Sequence, residues 1–493
     1  MRLAICITFT LLAASAADMK QPTWPQFRGP EGRGVADDQA PPSEFGPKKN
    51  VLWKTALPSG HGSPCIWGNR IFVTAFDKEK QLLEVVAVDR KDGKIAWRKA
   101  IDAPRIEKVH VEGNVAASTP VSDGKHVFVY VGSFGLIAYD FDGKVIWQHP
   151  IPIYEGPYGS GTSPVLAGEL VLVSRDYPPD PTLIAVNKKD GSLAWKADLA
   201  KVRLASSTAH STPLIWKGQV VLNRPTRVSG HSLKDGSELW RVASTAAGDS
   251  TLTAEGDTIY AALYNMGSEP GARPEKTPWS AALAKYDKDH DGKLSKAEVP
   301  TDDLYFLRRV GVPDNVSGAH FNFSLFFNGL DQNKDGFIDE TEYDNAFTRF
   351  GAPAEKNGLM AIRPEGSGDI TPTAVLWNER RGVPEVPSPI SYRGQVVMVA
   401  SGGVLTVVDA KDGKVLHRTR LNALGTYYAS PVAAGGKILV CSSEGIVTVF
   451  ESGTDFKLLA SNDLGERIYG TPAILDSKVY VRTASALWAF GTK

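Results

Sequence analysis

Residues 87–97 read AVDRKDGKIAW, and residues 138–147 repeat the same pattern as AYDFDGKVIW. In both stretches an apolar run ends in a polar turn with Asp-Gly, and a second run carries a tryptophan. Asp-Gly between two such runs is a strong signal for a β-hairpin, because glycine adopts the positive φ that a tight turn needs. The pattern returns at residues 185–195 and again at residues 231–240. The chain is therefore predicted to consist of repeated antiparallel strands.

A second repeated phrase, one or two small residues followed by proline, marks the start of each unit. Successive prolines are separated by 56, 44 and 49 residues early in the chain and by 42 and 41 residues late in it. This is about the length of one four-stranded propeller blade. Seven units start at a proline, and Ser250-Thr251-Leu252 is a degenerate eighth start: Pro64, Pro120, Pro164, Pro213, Leu252, Pro389, Pro431 and Pro472.

These eight starts predict an all-β, eight-bladed propeller of four-stranded antiparallel blades. The last apolar run ends at residues 488–490, three residues before the end of the given sequence, and the last unit still lacks a fourth strand. Residues 50–54, just before the first unit, contain Trp53 and fit the missing outer strand. We therefore expect the two ends of the chain to join in one blade, which would remove an exposed sheet edge.

The interval from Leu252 to Pro389 is 137 residues long, which exceeds one blade by roughly 90 residues. Within it, residues 287–298 and residues 331–342 both match the twelve-residue EF-hand calcium loop. Two acidic surface turns are the alternative interpretation. The matches predict an α-helical EF-hand pair inserted in blade five, with flanking helices over residues 279–286, 303–310, 321–330 and 342–350.

Calcium binds several oxygen atoms at once, so the loops predict a defined set of ligands. Leu294 and Ile338 occupy the eighth loop positions and are expected to form the short paired strand that couples two EF-hands. Lys293 and Phe337 would contribute their backbone carbonyls. The predicted calcium ligands are Asp287, Asp289, Asp291, Lys293, Ser295 and Glu298 in the first loop, and Asp331, Asn333, Asp335, Phe337, Asp339 and Glu342 in the second.

The sequence before and between the repeats gives the domain organisation. Arg2, the apolar run 3–14 and the small residues 14–16 have the pattern of a secretory signal peptide. An uncleaved anchor is the alternative, but about 12 apolar residues are short of the roughly 20 that a spanning helix needs. We expect a signal peptide at 1–16, an N-terminal arm at 17–49, propeller at 50–264, the insertion at 265–357 and propeller at 358–493. No transmembrane anchor is expected after cleavage, so the mature protein is predicted to be periplasmic or extracellular.

Residues three places before each repeat start are expected to meet at one mouth of the propeller, because equivalent positions in a radial array share a location. Two histidines, an aspartate and two tyrosines there would suit a ligand, a metal or a substrate. Alternatively, these polar groups cap strands and bind water. The eight positions are His61, Ala117, Gly161, His210, Asp249, Val386, Tyr428 and Tyr469, of which His61, His210, Asp249, Tyr428 and Tyr469 are the candidate cofactor-binding residues.

Charge and cysteine content restrict the partners. Lys plus Arg and Asp plus Glu both number 55, so the formal net charge is zero and nothing indicates a nucleic-acid partner. After signal cleavage only Cys65 and Cys441 remain. They would either pair or stay free as small buried apolar side chains.

The strand, Asp-Gly turn and tryptophan of residues 87–97 and their repeats resemble the tryptophan-docking repeats of the PQQ-like family, which includes pyrroloquinoline-quinone-dependent dehydrogenases and BamB-type assembly factors. His417 replaces the tryptophan in one late repeat, and residues 452–454 replace Asp-Gly in the next. The BamB-type resemblance implies a binding or assembly scaffold that presents propeller loops to a protein partner. The dehydrogenase resemblance implies an oxidoreductase with PQQ at the mouth, although no adjacent cysteine pair is present. A hydrolase or a carbohydrate-binding protein is a third alternative.

Overall fold

The computed structural model describes residues 22–110, 112–153, 158–177, 180–200, 209–265, 273–299, 305–308, 319–321, 327, 330–350 and 356–492. The predicted signal peptide at 1–16 lies outside these residues. Within them, no helix is long and apolar enough to cross a membrane.

Eight antiparallel sheets form the propeller, and each runs from an inner strand at the central channel to an outer strand at the rim. Blade one consists of Cys65–Trp67, Arg70–Asp77, Leu82–Asp89 and Ile95–Ala100, and blade two of Val121–Ser122, His126–Val131, Gly135–Asp140 and Val145–Pro150. Blade three consists of Val165–Ala167, Leu170–Arg175, Thr182–Asn187 and Leu193–Asp198, and blade four of Leu214–Trp216, Gln219–Arg224, Arg227–Ser232 and Glu238–Ala243. Blade five consists of Thr253–Glu255, Thr258–Leu263, Gly358–Ile362 and Val375–Glu379, and blade six of Ile390–Tyr392, Gln395–Ala400, Val404–Asp409 and Val415–Arg420. Blade seven consists of Val432–Ala434, Lys437–Cys441, Ile446–Glu451 and Lys457–Asp463, and blade eight of Ala473–Leu475, Lys478–Arg482, Ala486–Phe490 and Val51–Ala56. The predicted eight-bladed propeller is confirmed.

The ring closes in blade eight, where the two ends of the chain meet. Val51–Ala56 pairs antiparallel with Ala486–Phe490, so that Lys54 lies opposite Trp488. The outer strand of this blade thus comes from the start of the chain, as residues 50–54 predicted. Closure of this kind leaves no unpaired blade between the first and last units.

Tryptophans of the outer strands fasten each blade to the next. Trp97 of blade one donates its indole N–H to the carbonyl of Phe141 at 2.8 Å, and its ring covers Gly143 in the turn of blade two. A Cβ on Gly143 would lie 2.8 Å from that ring, so the Asp-Gly turn needs glycine both for its positive φ of 81° and for this contact. The same arrangement joins Trp53 to Gly93, Trp147 to Gly191, Trp195 to Gly236 and Trp377 to Gly413.

The late repeats depart from this pattern as their sequences do. His417 of blade six stacks on Phe456 of blade seven, with ring centroids 5.4 Å apart and planes at 1°. Phe456 lies in the turn of blade seven that lacks Asp-Gly. An aromatic stack therefore replaces the contact between tryptophan and glycine at this junction.

A closed circle of hydrogen bonds surrounds the central channel. In each blade, the residue before the repeat start donates its backbone N–H to the side-chain hydroxyl of the equivalent residue in the next blade, over 2.9 to 3.1 Å. We call these eight residues the hydroxyl ring. The order around the ring is Ser63, Thr119, Ser163, Thr212, Thr251, Ser388, Ser430, Thr471 and back to Ser63.

The N-terminal arm crosses the channel at the end opposite the mouth, which we call the base. Thr23–Trp24 pairs with the inner strand of blade one, and Val35–Ala36 pairs in parallel with the inner strand of blade seven. Between them lies a 3-10 turn, Pro30–Gly32. Trp24 is buried against Gly29, where a Cβ would lie 2.5 Å from the indole. The arm therefore packs as part of the core while it covers the base.

Blade five is interrupted between its second strand, which ends at Leu263, and its third strand, which begins at Gly358. The intervening segment contains the helices Trp279–Tyr286 and Glu340–Phe350 and the strands Arg273–Lys276, Leu294–Ser295, Tyr305–Arg308, Ala319–Phe321 and Phe337–Ile338. A short helix, Thr371–Ala374, and a two-residue strand, Gly368–Asp369, follow in the last hairpin of the blade.

Two of the four helices predicted in this segment are found, and two predictions are corrected. The helices at 279–286 and near 342–350 are present. The helix predicted over 303–310 is wrong, because Tyr305–Arg308 is the central strand between Arg273–Lys276 and Ala319–Phe321. The helix predicted over 321–330 begins too early, since Phe321 ends one of these strands. Pairing with distant strands overrides the local helical preference here.

Cys65 and Cys441 are both free and fully buried in the inner part of their blades. Burial raises the pKa of each thiol well above its usual value. Both side chains therefore act as small apolar core groups rather than as a disulfide or a reactive pair.

Candidate functional site

The mouth is the end of the channel where each outer strand connects to the next inner strand. In a four-stranded antiparallel blade, successive connections alternate between the two ends. The connection between second and third strands therefore emerges at the mouth as well, and so does the segment inserted into blade five. The mouth and the inserted segment share one end of the molecule, and the N-terminal arm occupies the other.

Three of the five predicted cofactor-binding residues form an aromatic cluster on one side of the mouth. The ring of His61 stacks on Tyr469, with centroids 3.9 Å apart and planes at 13°. Tyr428 follows at 5.2 Å from Tyr469. The Tyr428 hydroxyl donates to a Glu112 carboxylate oxygen at 3.0 Å, and Arg467 donates to the Tyr469 hydroxyl at 3.1 Å.

The other two predicted residues form a separate pair. His210 Nδ1 lies 2.8 Å from an Asp249 carboxylate oxygen, with both side chains largely buried. The Tyr158 ring meets His210 edge-on at 6.3 Å, and His110 meets Tyr158 at 5.8 Å. Desolvation and the carboxylates of Glu385 and Asp249 raise the pKa of Tyr158. The five predicted residues therefore make two clusters that extend into neighbouring loops.

The remaining positions and several unpredicted residues complete the mouth. Gly161 lies against the His210 side chain, because a Cβ added to Gly161 would be 3.1 Å from the Cβ of His210. Glu112, Tyr158 and Arg467 belong to loops of unequal length that have no equivalent from repeat to repeat, so the repeat pattern contains no signal for them. In the described part of the chain, no group of three metal-binding side chains occurs at the mouth.

Glu107 is a buried carboxyl in the same long loop as Glu112. Desolvation raises its pKa to about 8, which the backbone N–H of Ser160 only partly offsets. Gly132 lies directly below it, since an added Cβ would meet a Glu107 oxygen at 2.4 Å and the Ser160 hydroxyl at 2.5 Å. Glu107 is therefore protonated at neutral pH and packs as an uncharged group.

The pKa of His61 leads to a stability prediction. Desolvation, followed by the positive charge of Arg482, lowers its pKa from 6.5 to about 4. The unfolded chain then binds this proton near pH 6.5 while the folded protein does not, so stability is full above pH 6.5 and is lost as the pH falls toward 4. Between pH 7 and pH 4 the free energy of unfolding should therefore fall by up to about 3 kcal/mol less in His61→Asn than in the unmodified protein. Urea unfolding at pH 7 and pH 4.5 measures this difference. If the free energy of unfolding of His61→Asn and of the unmodified protein depends equally on pH, the lowered pKa of His61 is contradicted.

The first acidic loop of the inserted segment has its side chains turned inward. Ligand atoms of Asp287, Asp289 and Asp291 all lie within 4.8 Å of one another. Asp287 accepts the backbone N–H of Gly292 at 3.0 Å, and Glu298 accepts those of Lys288 at 2.9 Å and Ser295 at 3.0 Å, together with the Ser295 hydroxyl.

Repulsion between the acidic groups is visible in the first loop. The backbone N–H of Asp291 lowers the pKa of Asp289, but desolvation and the carboxylates of Asp291, Glu298 and Asp287 raise it, and the net shift is upward. A cation at the centre of such a cluster would relieve this repulsion.

The second loop repeats the geometry of the first. Asp331, Asp335 and Glu342 form a group within 4.8 Å. Glu342 accepts the backbone N–H of Gln332 at 2.7 Å, Asn333 accepts that of Asp335 at 2.8 Å, and Asp339 accepts that of Glu342 at 2.8 Å.

The two loops are joined as the sequence predicted. Leu294 pairs with Ile338, and Ser295 pairs with Phe337. The side chains of Leu294 and Ile338 are fully buried. Lys293 also forms an ion pair with Asp335 across the loops, with Nζ 3.0 Å from a carboxylate oxygen. The two acidic clusters are thus parts of one unit.

Comparison with known protein sequences identifies similarity to one family. The family model described as Outer membrane protein assembly factor BamB matches residues 84–295. An outer membrane protein assembly factor BamB from Yersinia pestis is 22% identical over 425 residues, which are 83% of this chain and 90% of that protein. The resemblance of the repeats to the BamB-type family is therefore confirmed.

Solved structures agree with the fold. BamB from Moraxella catarrhalis covers 90% of this chain and 97% of its own, with a TM-score of 0.53 and 11% identity. A europium-containing methanol dehydrogenase covers 96% and 98%, with a TM-score of 0.54 and 12% identity. At these identities the likeness extends to the propeller and no further.

Proposed function

Starting from a propeller with BamB-type repeats, we propose that this protein is a secreted, calcium-binding scaffold that holds a protein partner at its mouth. Calcium is bound by the two acidic loops of the inserted segment, which act as an EF-hand pair. The predicted signal peptide directs the protein to the periplasm or the extracellular space. The paired loops are the observation that carries the calcium part of this proposal.

The oxygen-rich character of the loops supports calcium rather than a softer metal. Their side-chain donors are carboxylates, an amide and a hydroxyl, with no cysteine or histidine at a ligand position. Calcium prefers six to eight oxygen ligands, and glycine at the sixth loop position allows the sharp bend between them. Gly292 and Gly336 have φ of 82° and 89°, as that bend requires. Calcium levels outside the cytosol suit permanently filled, structural sites.

The mouth supports a binding role for its loops. Its histidine, tyrosine and acidic side chains contact one another, as in the His61–Tyr469 stack and the His210–Asp249 pair. Tyr158 remains 44% exposed at the rim and offers an aromatic surface with a polar tip. Tyrosine is enriched at protein interfaces and among the residues that contribute most to binding.

We expect a photo-crosslinking residue at position 158 to capture a specific protein partner in the producing cell. The same residue at position 193, where Leu193 is 51% exposed on an outer strand, is the matched control. A defined adduct from position 158 alone supports the scaffold. Adducts from neither position, or equally from both, would contradict partner binding at the mouth.

A PQQ-dependent oxidoreductase is the second candidate. The stacked rings of His61 and Tyr469, with Tyr428 beside them, support it, because a planar quinone stacks on aromatic rings. Titration of the purified protein with PQQ, followed by tryptophan fluorescence, tests this candidate. Saturable binding that is lost in Tyr469→Ala would favour the oxidoreductase over the scaffold.

A further inference from the structure

The buried side chain of Arg28 has a positive charge with no counter-charge among the residues that the structure describes. Arg28 is 0% exposed and lies in the N-terminal arm at the base of the channel. Its Nη2 donates to the carbonyl of Pro389 at 2.6 Å and is 3.5 Å from the carbonyl of Arg33. In the part of the chain that the structure describes, its Nε and Nη1 are buried without an acceptor, and no carboxylate forms an ion pair with it.

A buried guanidinium in this condition is costly. Removing an ionised group from water without a partner costs several kcal/mol in a folded protein. Desolvation lowers the pKa of Arg28 to about 9, so the group still has its charge at neutral pH. The surroundings must therefore compensate a full positive charge.

Arg28 reaches the wall of the channel beside one member of the hydroxyl ring. Pro389, which accepts from Arg28, directly follows ring residue Ser388. Each of the eight ring hydroxyls accepts a backbone N–H, and none has an acceptor for its own proton among the residues that the structure describes. The ring thus has hydroxyl protons without a described acceptor, and the cationic side chain of Arg28 contacts the carbonyl beside one of these hydroxyls.

We propose that the channel binds a small inorganic anion, held by Nε and Nη1 of Arg28 and by hydroxyls of the ring. The two free edges of a guanidinium offer N–H donors in a fixed fork, which suits a halide or a compact oxyanion. Water would satisfy the hydroxyls but would leave the charge uncompensated. The anion would also fasten the arm to the inner strands, because Arg28 belongs to the arm and the hydroxyls belong to the blades.

Anion-dependent stability tests this proposal. The melting temperature is measured in sodium chloride, sodium phosphate and sodium gluconate at equal ionic strength, where gluconate is the bulky anion. We expect chloride, phosphate or both to raise it above the gluconate value, on the order of 2–3 °C at an anion concentration about 100 times Kd. Arg28→Gln should lose this difference, whereas Arg28→Lys should reduce it.

Arg393→Gln is the matched control. Arg393 lies at the base and pairs with Asp37 of the arm, but it is exposed, so its loss should leave the anion effect unchanged. Crystals of the unmodified protein soaked in sodium bromide give a test without mutation, in case Arg28 variants do not fold. An anomalous peak beside Nε or Nη1 of Arg28 supports the site. Equal melting temperatures in all three salts, without such a peak, would overturn the proposal.

Discussion

Glu298→Gln combined with Glu342→Gln is expected to abolish calcium binding by the inserted segment and to leave the propeller folded. Each glutamate closes its loop, and each is buried, at 8% and 5% exposure. Glutamine keeps the shape but removes the charge and the second anionic oxygen that would face the ion. Loss of an outer-shell partner alone weakens metal binding about 10–100-fold, so loss of a direct ligand from both loops should cost more.

Isothermal titration with calcium measures the effect. The unmodified protein should bind two ions, and the double variant should release no binding heat at micromolar to millimolar calcium. Glu79→Gln with Glu340→Gln is the matched control, because it removes two exposed carboxylates, one of them only two residues from Glu342. Unchanged calcium binding in the Glu298 and Glu342 variant would refute the EF-hand assignment, and circular dichroism checks that the blades remain folded.

The inserted segment also has a structural connection to the mouth. The stem of the segment is fastened by Asn265 and Asn357, which both contact Thr245: Asn265 donates to the Thr245 carbonyl at 2.6 Å, and Asn357 accepts its backbone N–H at 3.0 Å. Four residues later in the same loop, Asp249 pairs with His210. The loop that carries Asp249 is therefore held by the stem of the inserted segment.

The fold could be predicted from the sequence because its determinants are local and repeated. Asp-Gly followed by tryptophan specifies a hairpin and the contact between blades at once, as Trp97 and Gly143 illustrate. The repeat pattern shows a small residue before each repeat start. It does not show that the hydroxyl of this residue accepts a hydrogen bond from the neighbouring blade, because that contact joins two different repeats. Residues 50–54 could be assigned because the last repeat lacked a strand.

The parts that could not be predicted depend on contacts between distant segments. Residues 305–308 have no repeat to mark them, and their pairing with residues 273–276 and 319–321 decides that they form a strand. The repeat pattern predicts mouth residues only at the position three places before each repeat start. This position includes His61 and Tyr469 but not Glu112, Tyr158 or Arg467. Arg28 belongs to the predicted arm at 17–49, but its burial away from every described carboxylate arises only when the arm crosses the channel.

Trp53→Ala is expected to be the most destabilising single substitution in the propeller rim. Trp53 lies on the strand that closes the ring, and its indole N–H donates to the carbonyl of Arg90 at 3.1 Å. The ring covers Gly93 of blade one and lies 6.1 Å from Tyr480 of blade eight. Truncation would empty this junction and leave the Arg90 carbonyl without its donor, at a cost of about 3–5 kcal/mol in the free energy of unfolding.

Closure makes the loss at this junction greater than at the other tryptophans. In the other blades all four strands come from one continuous stretch of chain, whereas blade eight is completed only when Val51–Ala56, which carries Trp53, pairs with Ala486–Phe490. Urea unfolding should give a lower midpoint for Trp53→Ala than for Trp97→Ala. Leu193→Ala, an exposed outer-strand control, should change the free energy by no more than about 0.5 kcal/mol. A Trp53→Ala midpoint equal to that of Leu193→Ala would show that the backbone pairing alone closes the ring.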